Sequence, residues 1–230
     1  MNLRAFLPGS FRRTLRCAFD RCFHRSGLGL EKIGSGCAWM IMPARLKPGT
    51  AVLSGGAGHD ISFELELATR FGCRVAVFDP SPTGGDTFAK VTAPPPGLTF
   101  HCLGLSAETK TVAFAKPAHA AEGSFGVAGN HAATVAFECV SPADAMRRAG
   151  LAEIELLKID IEGFEYEFLE KMLEQGIRPA QIAVEVHHFL PHIPLRRTLA
   201  TVRRLRAAGY VIAHKEQCDL LFIHRRALLQ

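Results

Sequence analysis

The segment that decides the fold is residues 156–169, with the sequence LLKIDIEGFEYEFL. Its first residues form a short, largely apolar run typical of a buried strand, and its second half repeats hydrophobic side chains at helical spacing. Between these two parts lie Asp160, Glu162 and Gly163. The pattern predicts a buried strand that brings two carboxylates to its carboxyl end and then turns at a glycine into a helix. In open α/β sheets ligands bind at that end of the strands, so we expect a functional site here.

The composition is typical of a soluble globular protein with one main domain. The chain has 230 residues, of which 48% are hydrophobic and 21% are charged. Its formal charge of +5 is too small to indicate a nucleic acid partner, and no RNA-binding or zinc-finger motif adds to it. The scattered cysteines form no CxxC pair, which favours a reducing, cytoplasmic location over a disulfide framework. No run approaches the ~20 apolar residues of a membrane span.

A basic leader, residues 1–35, precedes the predicted domain, residues 36–230. Apolar residues recur in the leader at every fourth position and would share one helix face: Phe11, Leu15, Phe19 and Phe23. Arginines flank this face, which is typical of a helix at a membrane surface, although a helix packed against the domain has the same pattern. The glycines between positions 27 and 36 indicate a flexible join.

A strand, a glycine-rich loop and a helix follow one another in residues 50–71. The loop, residues 55–60 with the sequence GGAGHD, comes directly after the apolar run. Glycines permit positive φ angles and let backbone N–H groups approach a ligand, while the lack of a following Gly-Lys-Ser/Thr disfavours a P-loop. The next strand, residues 74–78, ends at Asp79, where a carboxylate is placed to accept hydrogen bonds from ribose hydroxyls. Asp79 precedes Pro80 and also fits a turn cap, but together with the glycine loop it predicts an adenosine-type ligand.

The rest of the chain alternates further strands and helices. Strands are predicted where apolar residues run together or alternate, at 98–103, 111–114, 133–140, 180–188, 210–213 and 220–224. Helices are predicted at 141–148 and 196–208, and loops at 82–97 and 123–129, the second of them a candidate substrate lid. This order predicts an α/β, Rossmann-like fold: a mostly parallel sheet with helices on both faces and an antiparallel edge strand near the C-terminus.

Two blocks of this sequence resemble the FkbM-type family of S-adenosylmethionine-dependent methyltransferases. One comprises residues 52–63 with 77–80, and the other comprises residues 157–165 with 184–187. The Lys-Ile-Asp-Ile-Glu-Gly stretch of the second block is the more specific. The resemblance covers roughly residues 50–225 and implies a class I, Rossmann-like methyltransferase. Many members of the family O-methylate sugars or other small hydroxyl compounds.

The resemblance implies a binding site for S-adenosyl-L-methionine. It places the following residues around the cofactor: Ser54, Gly56, Ala57, Gly58 and Asp60 at the methionine part, Asp79 at the ribose, and Gly104 and Leu105 beside the adenine. Ser54 departs from the pattern because class I enzymes commonly have an acidic residue there. Asp60, which stands where a third glycine is common, is a candidate to supply the missing carboxylate to the cofactor's ammonium group.

The chemistry of methyl transfer suggests roles for the polar residues at the strand ends. A hydroxyl is a poor nucleophile until a positioned base takes its proton, so we predict Asp160 or His187 as the base. Glu162 would orient the acceptor, although it also fits a cap of the following helix. Because side chains alternate along a strand, Glu185 and His187 are expected to share a face. Alternatively, these two residues and Asp160 hold a divalent cation that lowers the pKa of the acceptor hydroxyl.

Two other functions account for part of the pattern. A metal-dependent hydrolase that uses Asp160, Glu185, His187 and His192 explains the acidic-histidine cluster but leaves Asp79 and the glycine loop without a role. A catalytically inactive homologue would keep the cofactor pocket and lack turnover. The expected partners are a small-molecule or glycan acceptor and, through the leader, a membrane surface; nucleic acid is not expected.

Overall fold

A computed structural model describes residues 26–117, 123–127 and 134–229 of the chain. The described strands are β1 (Glu31–Ile33), β2 (Trp39–Ile41), β3 (Ala51–Gly55), β4 (Arg74–Phe78), β5 (Leu98–His101), β6 (Gly104–Leu105), β7 (Lys110–Ala115), β8 (Gly126–Val127), β9 (Thr134–Val140), β10 (Leu156–Ile159), β11 (Gln181–Glu185), β12 (Tyr210–Glu216) and β13 (Asp219–His224). The described helices are α1 (Ser62–Phe71), α2 (Pro82–Ala89), α3 (Pro142–Arg148), α4 (Glu165–Glu174) and α5 (Leu195–Ala207).

The central sheet has seven strands in the order β12-β13-β11-β10-β3-β4-β5. The strands from β11 to β5 run parallel, whereas β13 is antiparallel to β11 and β12 is antiparallel to β13. The chain moves outward from β3 to β4 and β5 on one side, and from β10 to β11 on the other. The neighbours β3 and β10 therefore form the switch point at which open α/β sheets bind ligands. This topology confirms the predicted mostly parallel sheet with an antiparallel edge.

Helices cover both faces of the sheet, as predicted. Alternate residues of a strand point to opposite faces, so neighbours in one strand enter different cores. Leu53 of β3 packs in a core with α3, α4 and α5, whereas the adjacent Val52 packs in a second core with α1 and the β1–β2 hairpin. This burial fixes the position of β3 and β10 and hence the position of the loops that follow them.

The prediction of a loop over residues 82–97 is wrong in its first half, where α2 forms. Ser81 is its N-cap, since the Ser81 hydroxyl accepts a hydrogen bond from the backbone N–H of Gly84 at 3.0 Å. Pro82 follows at the first helical position, where a missing N–H leaves nothing unpaired. The two glycines at 84 and 85 concealed this helix in the sequence. A Cβ at Gly84 would lie 2.3 Å from the carboxyl carbon of Asp79, so glycine is needed there for packing.

The glycine-rich join before residue 36 is a hairpin rather than a flexible link. The strand β1 pairs antiparallel with β2, and Ile33 at its end is fully buried. Residues 31–35, on the leader side of the predicted boundary, therefore pack on the domain. The amphipathic helix predicted in the leader, at residues 11–23, lies outside the described residues. Among the helices that are described, none is long and apolar enough to cross a membrane.

A second, four-stranded sheet in the order β6-β9-β7-β8 stands beside the main sheet. The predicted strand at 98–103 ends at His101, and Gly104 and Leu105 instead join this second sheet next to β9. In the segment 123–129, Gly126 and Val127 pair with the end of β7. This sheet brings Gly104, Leu105 and the residues before β8 over the carboxyl ends of the main strands.

Candidate active site

A cavity of about 240 Å³ lies at the carboxyl ends of β3, β4 and β10. The loop after β3, the segment after β4, the start of the second sheet and the turn after β10 line it. The predicted cofactor residues that border the cavity are Gly56, Ala57, Gly58, Asp60, Asp79, Gly104 and Leu105. The predicted catalytic residues Asp160 and Glu162 border it as well, whereas Ser54 is fully buried beneath it.

Asp79 holds the glycine loop in place. One of its carboxylate oxygens accepts hydrogen bonds from the backbone N–H groups of Ala57 and Gly58, at 2.8 and 3.0 Å. The other oxygen accepts a hydrogen bond from the backbone N–H of Ser81 at 2.8 Å. We expected the loop to present these N–H groups to a ligand, but they are bound by Asp79. The residue borders the cavity, so it shapes the loop at the place where the ribose contact is predicted.

Gly56 allows the glycine loop to cross the end of β10. Its φ angle is +84°, and a Cβ at this position would lie 1.9 Å from the carbonyl oxygen of Asp160. A side chain is therefore excluded both by the backbone conformation and by the neighbouring strand end. This contact joins the loop after β3 to the turn that carries Asp160.

Asp60 does not offer a free carboxylate to the cofactor, contrary to our expectation. Its Oδ1 accepts a hydrogen bond from the backbone N–H of Ser62 at 2.9 Å. Its Oδ2 accepts hydrogen bonds from the Ser62 hydroxyl at 2.9 Å and from the backbone N–H of Cys37 at 2.5 Å. Burial raises the pKa of Asp60, but the hydrogen bonds from Cys37 and Ser62 outweigh this effect and lower it. Asp60 thus ties the start of α1 to the β1–β2 hairpin.

Two charged residues outside the predicted site lie at the floor of the cavity. Glu64 of α1 is 1% exposed and accepts a hydrogen bond from the Ser54 hydroxyl at 2.5 Å. Lys158 of β10 is 5% exposed and donates a hydrogen bond to the carbonyl oxygen of Gly56. The Lys158 Nζ lies 3.8 Å from Glu64 Oε1 and 5.3 Å from the centre of the Trp39 ring. The sequence signal for this pair was Lys158, a charged residue inside an otherwise apolar strand. A charge is buried only with a partner, so Lys158 predicts a buried partner nearby.

His187 connects three carboxylates. Its Nδ1 lies 2.6 Å from Glu165 Oε1, and its Nε2 lies 3.3 Å from Glu162 Oε2 and 3.6 Å from Asp160 Oδ1. Burial lowers the pKa of His187, but the contacts with Glu162 and Glu165 outweigh this effect and raise it to about 11. Both ring nitrogens therefore carry a proton at neutral pH.

The two acidic residues that line the cavity beside His187 differ in proton affinity. Burial raises the pKa of Asp160, and this effect outweighs the lowering by Lys158 and His187. Burial also raises the pKa of Glu162, but hydrogen bonds with His187 and Ser124 outweigh it, so the pKa of Glu162 is lowered. Asp160 is thus the better proton acceptor of the two, and Glu162 stays ionised.

The backbone of Glu162 adopts a left-handed conformation beside His187. Its φ angle is +53°, which costs a residue other than glycine about 1–3 kcal/mol. Its carbonyl oxygen accepts a hydrogen bond from the Val127 backbone N–H at 3.1 Å. The turn before α4 is capped by Glu165, whose Oε1 accepts hydrogen bonds from the backbone N–H groups of Ile161 and Gly163, at 3.2 and 3.1 Å. The interpretation of Glu162 as the helix cap is therefore wrong.

The predicted metal ligands meet, but strand alternation does not bring them together. The strands β10 and β11 end at Ile159 and Glu185, so Asp160 and His187 lie in the turns beyond them. In the described part of the chain, Asp160, Glu185 and His187 each offer one ligand atom within 4.8 Å of the others. His192, the fourth ligand of the predicted hydrolase, is exposed and does not belong to this group.

A further acidic residue, Asp219, lies opposite Glu185 in the pairing of β11 with β13. Burial and the charge of Asp160 raise the pKa of Glu185 to about 7. The same two causes raise the pKa of Asp219 to about 6. Acidic residues thus lie at the ends of three neighbouring strands, with Asp160 after β10, Glu185 in β11 and Asp219 in β13.

Comparison with protein families identifies the chain. The methyltransferase FkbM domain matches residues 50–212, which is more than half of the sequence. The chain belongs to the FkbM methyltransferase family. No curated protein matches its sequence significantly. Family membership makes S-adenosylmethionine the expected cofactor.

Solved structures similar to this FkbM domain include other methyltransferases. A fibrillarin pre-rRNA processing protein from Methanococcus jannaschii is 12% identical, with a TM-score of 0.46 over 85% of this chain and 70% of that chain. A precorrin-6y C5,15-methyltransferase from Geobacter metallireducens is 12% identical, with a TM-score of 0.43 over 78% of this chain and 80% of that chain. The Aeropyrum pernix fibrillarin with natively bound S-adenosyl-L-methionine is 11% identical, with a TM-score of 0.40 over 77% of this chain and 66% of that chain.

The cavity of the FkbM domain fits S-adenosylmethionine chemically. The cofactor joins an adenosine, a sulfonium cation and a zwitterionic amino acid. The side chains of Phe78 and Leu105 form an apolar wall for the adenine ring. Asp160 supplies a carboxylate near which the sulfonium cation can lie. Glu64 and Lys158 supply one charge of each sign at the floor. These groups therefore fit the adenine, the sulfonium and the charged amino acid of the cofactor.

Proposed function

We propose that this protein is an O-methyltransferase that uses S-adenosylmethionine to methylate a hydroxyl of a sugar or other small molecule. The observation that carries the proposal is the pairing of Asp160, which borders the cavity and has a raised pKa, with a buried, protonated His187. When bound, the cofactor supplies an electrophilic methyl group on a sulfonium. The chain's own task is to bind the acceptor beside it and to remove the hydroxyl proton.

Asp160 is the base in this proposal. It borders the cavity, and its raised pKa makes it a stronger proton acceptor than an ordinary aspartate, which favours general-base catalysis. His187 was the other candidate, but an imidazole with both nitrogens protonated has no lone pair for a further proton. Its positive charge instead lies 3.6 Å from Asp160 Oδ1 and orients that carboxylate.

The acidic strand ends support a polyhydroxyl acceptor. The ionised Glu162 and the neighbouring Glu185 and Asp219 offer oxygens that accept hydrogen bonds from hydroxyl groups. The charge of Glu162, which borders the cavity, opposes the phosphates of a nucleic acid, whose binding depends on lysine and arginine. A small-molecule or glycan acceptor is therefore the partner class we propose.

A divalent cation is a second candidate for activating the acceptor. The ligand atoms of Asp160, Glu185 and His187 within 4.8 Å of one another favour it. In that arrangement Glu165 would hold the Nδ1 proton of His187 and leave Nε2 to the metal, a common pattern at metal centres. Activity that is lost in a chelator and restored by magnesium or manganese supports the cation. Activity that survives the chelator supports Asp160 alone.

The experiment that tests the proposed function has two steps. Calorimetry with S-adenosylhomocysteine first establishes cofactor binding, and transfer of a labelled methyl group to a panel of sugar hydroxyls then establishes turnover. Asp160→Asn is expected to lower turnover by about 10²- to 10⁴-fold and to leave cofactor affinity in place. Asp86→Asn, on the exposed side of α2, is the matched control and should change neither. Near-full turnover by Asp160→Asn overturns the base assignment, and binding without turnover on any acceptor favours the inactive homologue.

A further inference from the structure

Glu64 differs from the other acidic residues of the cavity because the proposed reaction does not use it. It is the third residue of α1, yet its carboxylate is buried against the sheet and borders the cavity. We infer that Glu64 binds the ammonium group of the cofactor's methionine part, in place of the acidic residue that class I enzymes commonly have at position 54. This inference rests on the proposed function, since it concerns the same cofactor.

The contact between Ser54 and Glu64 explains the serine. The Ser54 hydroxyl donates a hydrogen bond to Glu64 Oε1 at 2.5 Å, and both residues are almost completely buried. A carboxylate at position 54 would stand against the carboxylate of Glu64 without a proton to share. Serine removes that repulsion and supplies a donor that holds Glu64 in place. The acidic group beside position 54 is thus supplied by the neighbouring helix and borders the cavity floor.

Lys158 balances the charge of this carboxylate. It lies opposite Ser54 in the pairing of β10 with β3, and its Nζ is 3.8 Å from Glu64 Oε1. The same Nζ donates hydrogen bonds to the carbonyl oxygens of Gly55 and Gly56, the first at 3.3 Å. Lys158 is therefore held mainly by backbone, and its 3.8 Å separation from Glu64 is longer than a hydrogen bond.

One oxygen of Glu64 remains for a ligand. Within the described residues its hydrogen bond runs through Oε1, and Oε2 has no partner there. A carboxylate that is 1% exposed loses water on burial and needs donors in exchange. A primary ammonium is the matching group, because it brings a charge and three N–H donors in a compact shape.

The other carboxylates of the cavity are already engaged. Both oxygens of Asp60 accept hydrogen bonds from Ser62, and one also accepts a hydrogen bond from Cys37. Both oxygens of Asp79 accept hydrogen bonds from backbone N–H groups. Glu64 is thus the carboxylate beside the glycine loop that has an oxygen to offer.

The test compares two ligands that differ by the amino acid. S-adenosylhomocysteine has the ammonium group, and 5′-methylthioadenosine has the same adenosine and thioether without it. Calorimetry should show that Glu64→Gln weakens S-adenosylhomocysteine binding by about 10- to 100-fold and leaves 5′-methylthioadenosine binding unchanged. The double variant Ser54→Asp with Glu64→Gln, which returns the carboxylate to the strand, should recover most of the lost affinity.

Glu66→Gln is the matched control because Glu66 lies in the same helix but pairs with Arg70 and the Gly34 backbone away from the cavity. It should bind both ligands as the wild type does. Equal weakening of the two ligands by Glu64→Gln, or of neither, overturns the inference while cofactor binding by the wild type still supports the proposed function. A wild type that binds neither ligand overturns both. If Glu64→Gln does not fold, Glu64→Asp is the alternative, because its shorter side chain keeps the charge but moves it away from the cavity. It should show a smaller loss of affinity that is again selective for S-adenosylhomocysteine.

Discussion

The Nδ1 of His187 lies 2.6 Å from Oε1 of Glu165, and this carboxylate is fully buried. The same Glu165 oxygen accepts the backbone N–H groups of Ile161 and Gly163, in the turn that carries Glu162. The buried carboxylate of Glu165 thus contacts both the imidazole of His187 and the turn that carries Glu162. The relative position of the acidic turn and the protonated His187 is therefore set by a residue outside the cavity.

Removing the charge of Glu165 should destabilise the protein strongly. Glu165→Gln leaves a buried imidazolium with one ion-pair partner fewer, and breaking a buried pair typically costs about 3–5 kcal/mol. Glu167→Gln, two residues on, is the control, since Glu167 is 58% exposed in its pair with Arg197 and such pairs contribute at most about 1 kcal/mol. Urea unfolding at neutral pH measures both. Equal losses for the two variants would contradict a structural ion pair at His187.

The raised pKa of Glu185 predicts a pH-dependent stability. Its folded pKa of about 7 is above the unfolded value of about 4.3, so its stabilising contribution is complete below pH 4 and is lost as the pH rises through 7. Asp160, Asp219 and Glu162 oppose its ionisation, and His187 favours it. Glu185→Gln should therefore match the wild type near pH 4 and exceed it by up to about 3–4 kcal/mol at pH 8.

Urea unfolding in the presence of a chelator, from pH 4 to pH 8, measures this difference. Glu153→Gln, at an exposed position, is the control and should differ from the wild type by a constant amount. A difference between Glu185→Gln and the wild type that does not change with pH would show that Glu185 is ionised normally in the folded state.

The role of Asp79 in shaping the glycine loop predicts a combined defect. Asp79→Ala leaves the N–H groups of Ala57, Gly58 and Ser81 without their acceptor, which should cost at least about 2 kcal/mol of stability. Binding of S-adenosylhomocysteine should fall with it because the loop loses its shape. Asp86→Ala in α2 is the control, with changes within about 0.5 kcal/mol. Normal stability together with lost binding would assign Asp79 to the ligand alone.

The close approach of Gly56 to Asp160 predicts that no side chain is tolerated there. Gly56→Ala places a methyl group 1.9 Å from the Asp160 carbonyl oxygen in a left-handed conformation. We expect at least about tenfold weaker binding of S-adenosylhomocysteine, since the backbone strain alone costs about 1–2 kcal/mol. Gly85→Ala, with no atom within 4 Å of the added methyl, should bind normally and gain up to about 1 kcal/mol of helix stability. Unchanged binding by Gly56→Ala would mean that the loop can move away from β10 freely.

Local patterns in the sequence were sufficient for the main elements and for the place of the site. The apolar run before Asp160 and the glycine loop after β3 each predict a strand end, and the observed sheet brings these two ends together at its switch point. The helix α2 was missed because Gly84 and Gly85 are poor helix formers, and Gly84 is present for its contact with Asp79. Local propensity cannot report a contact that forms only between packed elements.

The sequence by itself determined most of the strands and helices, the glycine loop and the family, because periodicity and short motifs are local properties of the chain. The tertiary structure alone decided which groups are charged and which are engaged. It buried Glu64 beside Ser54 and Lys158, occupied Asp60 with Ser62, and protonated His187 between Glu162 and Glu165. These outcomes depend on desolvation and on contacts between distant segments, which exist only in the folded protein. A short stretch of sequence therefore does not reveal them.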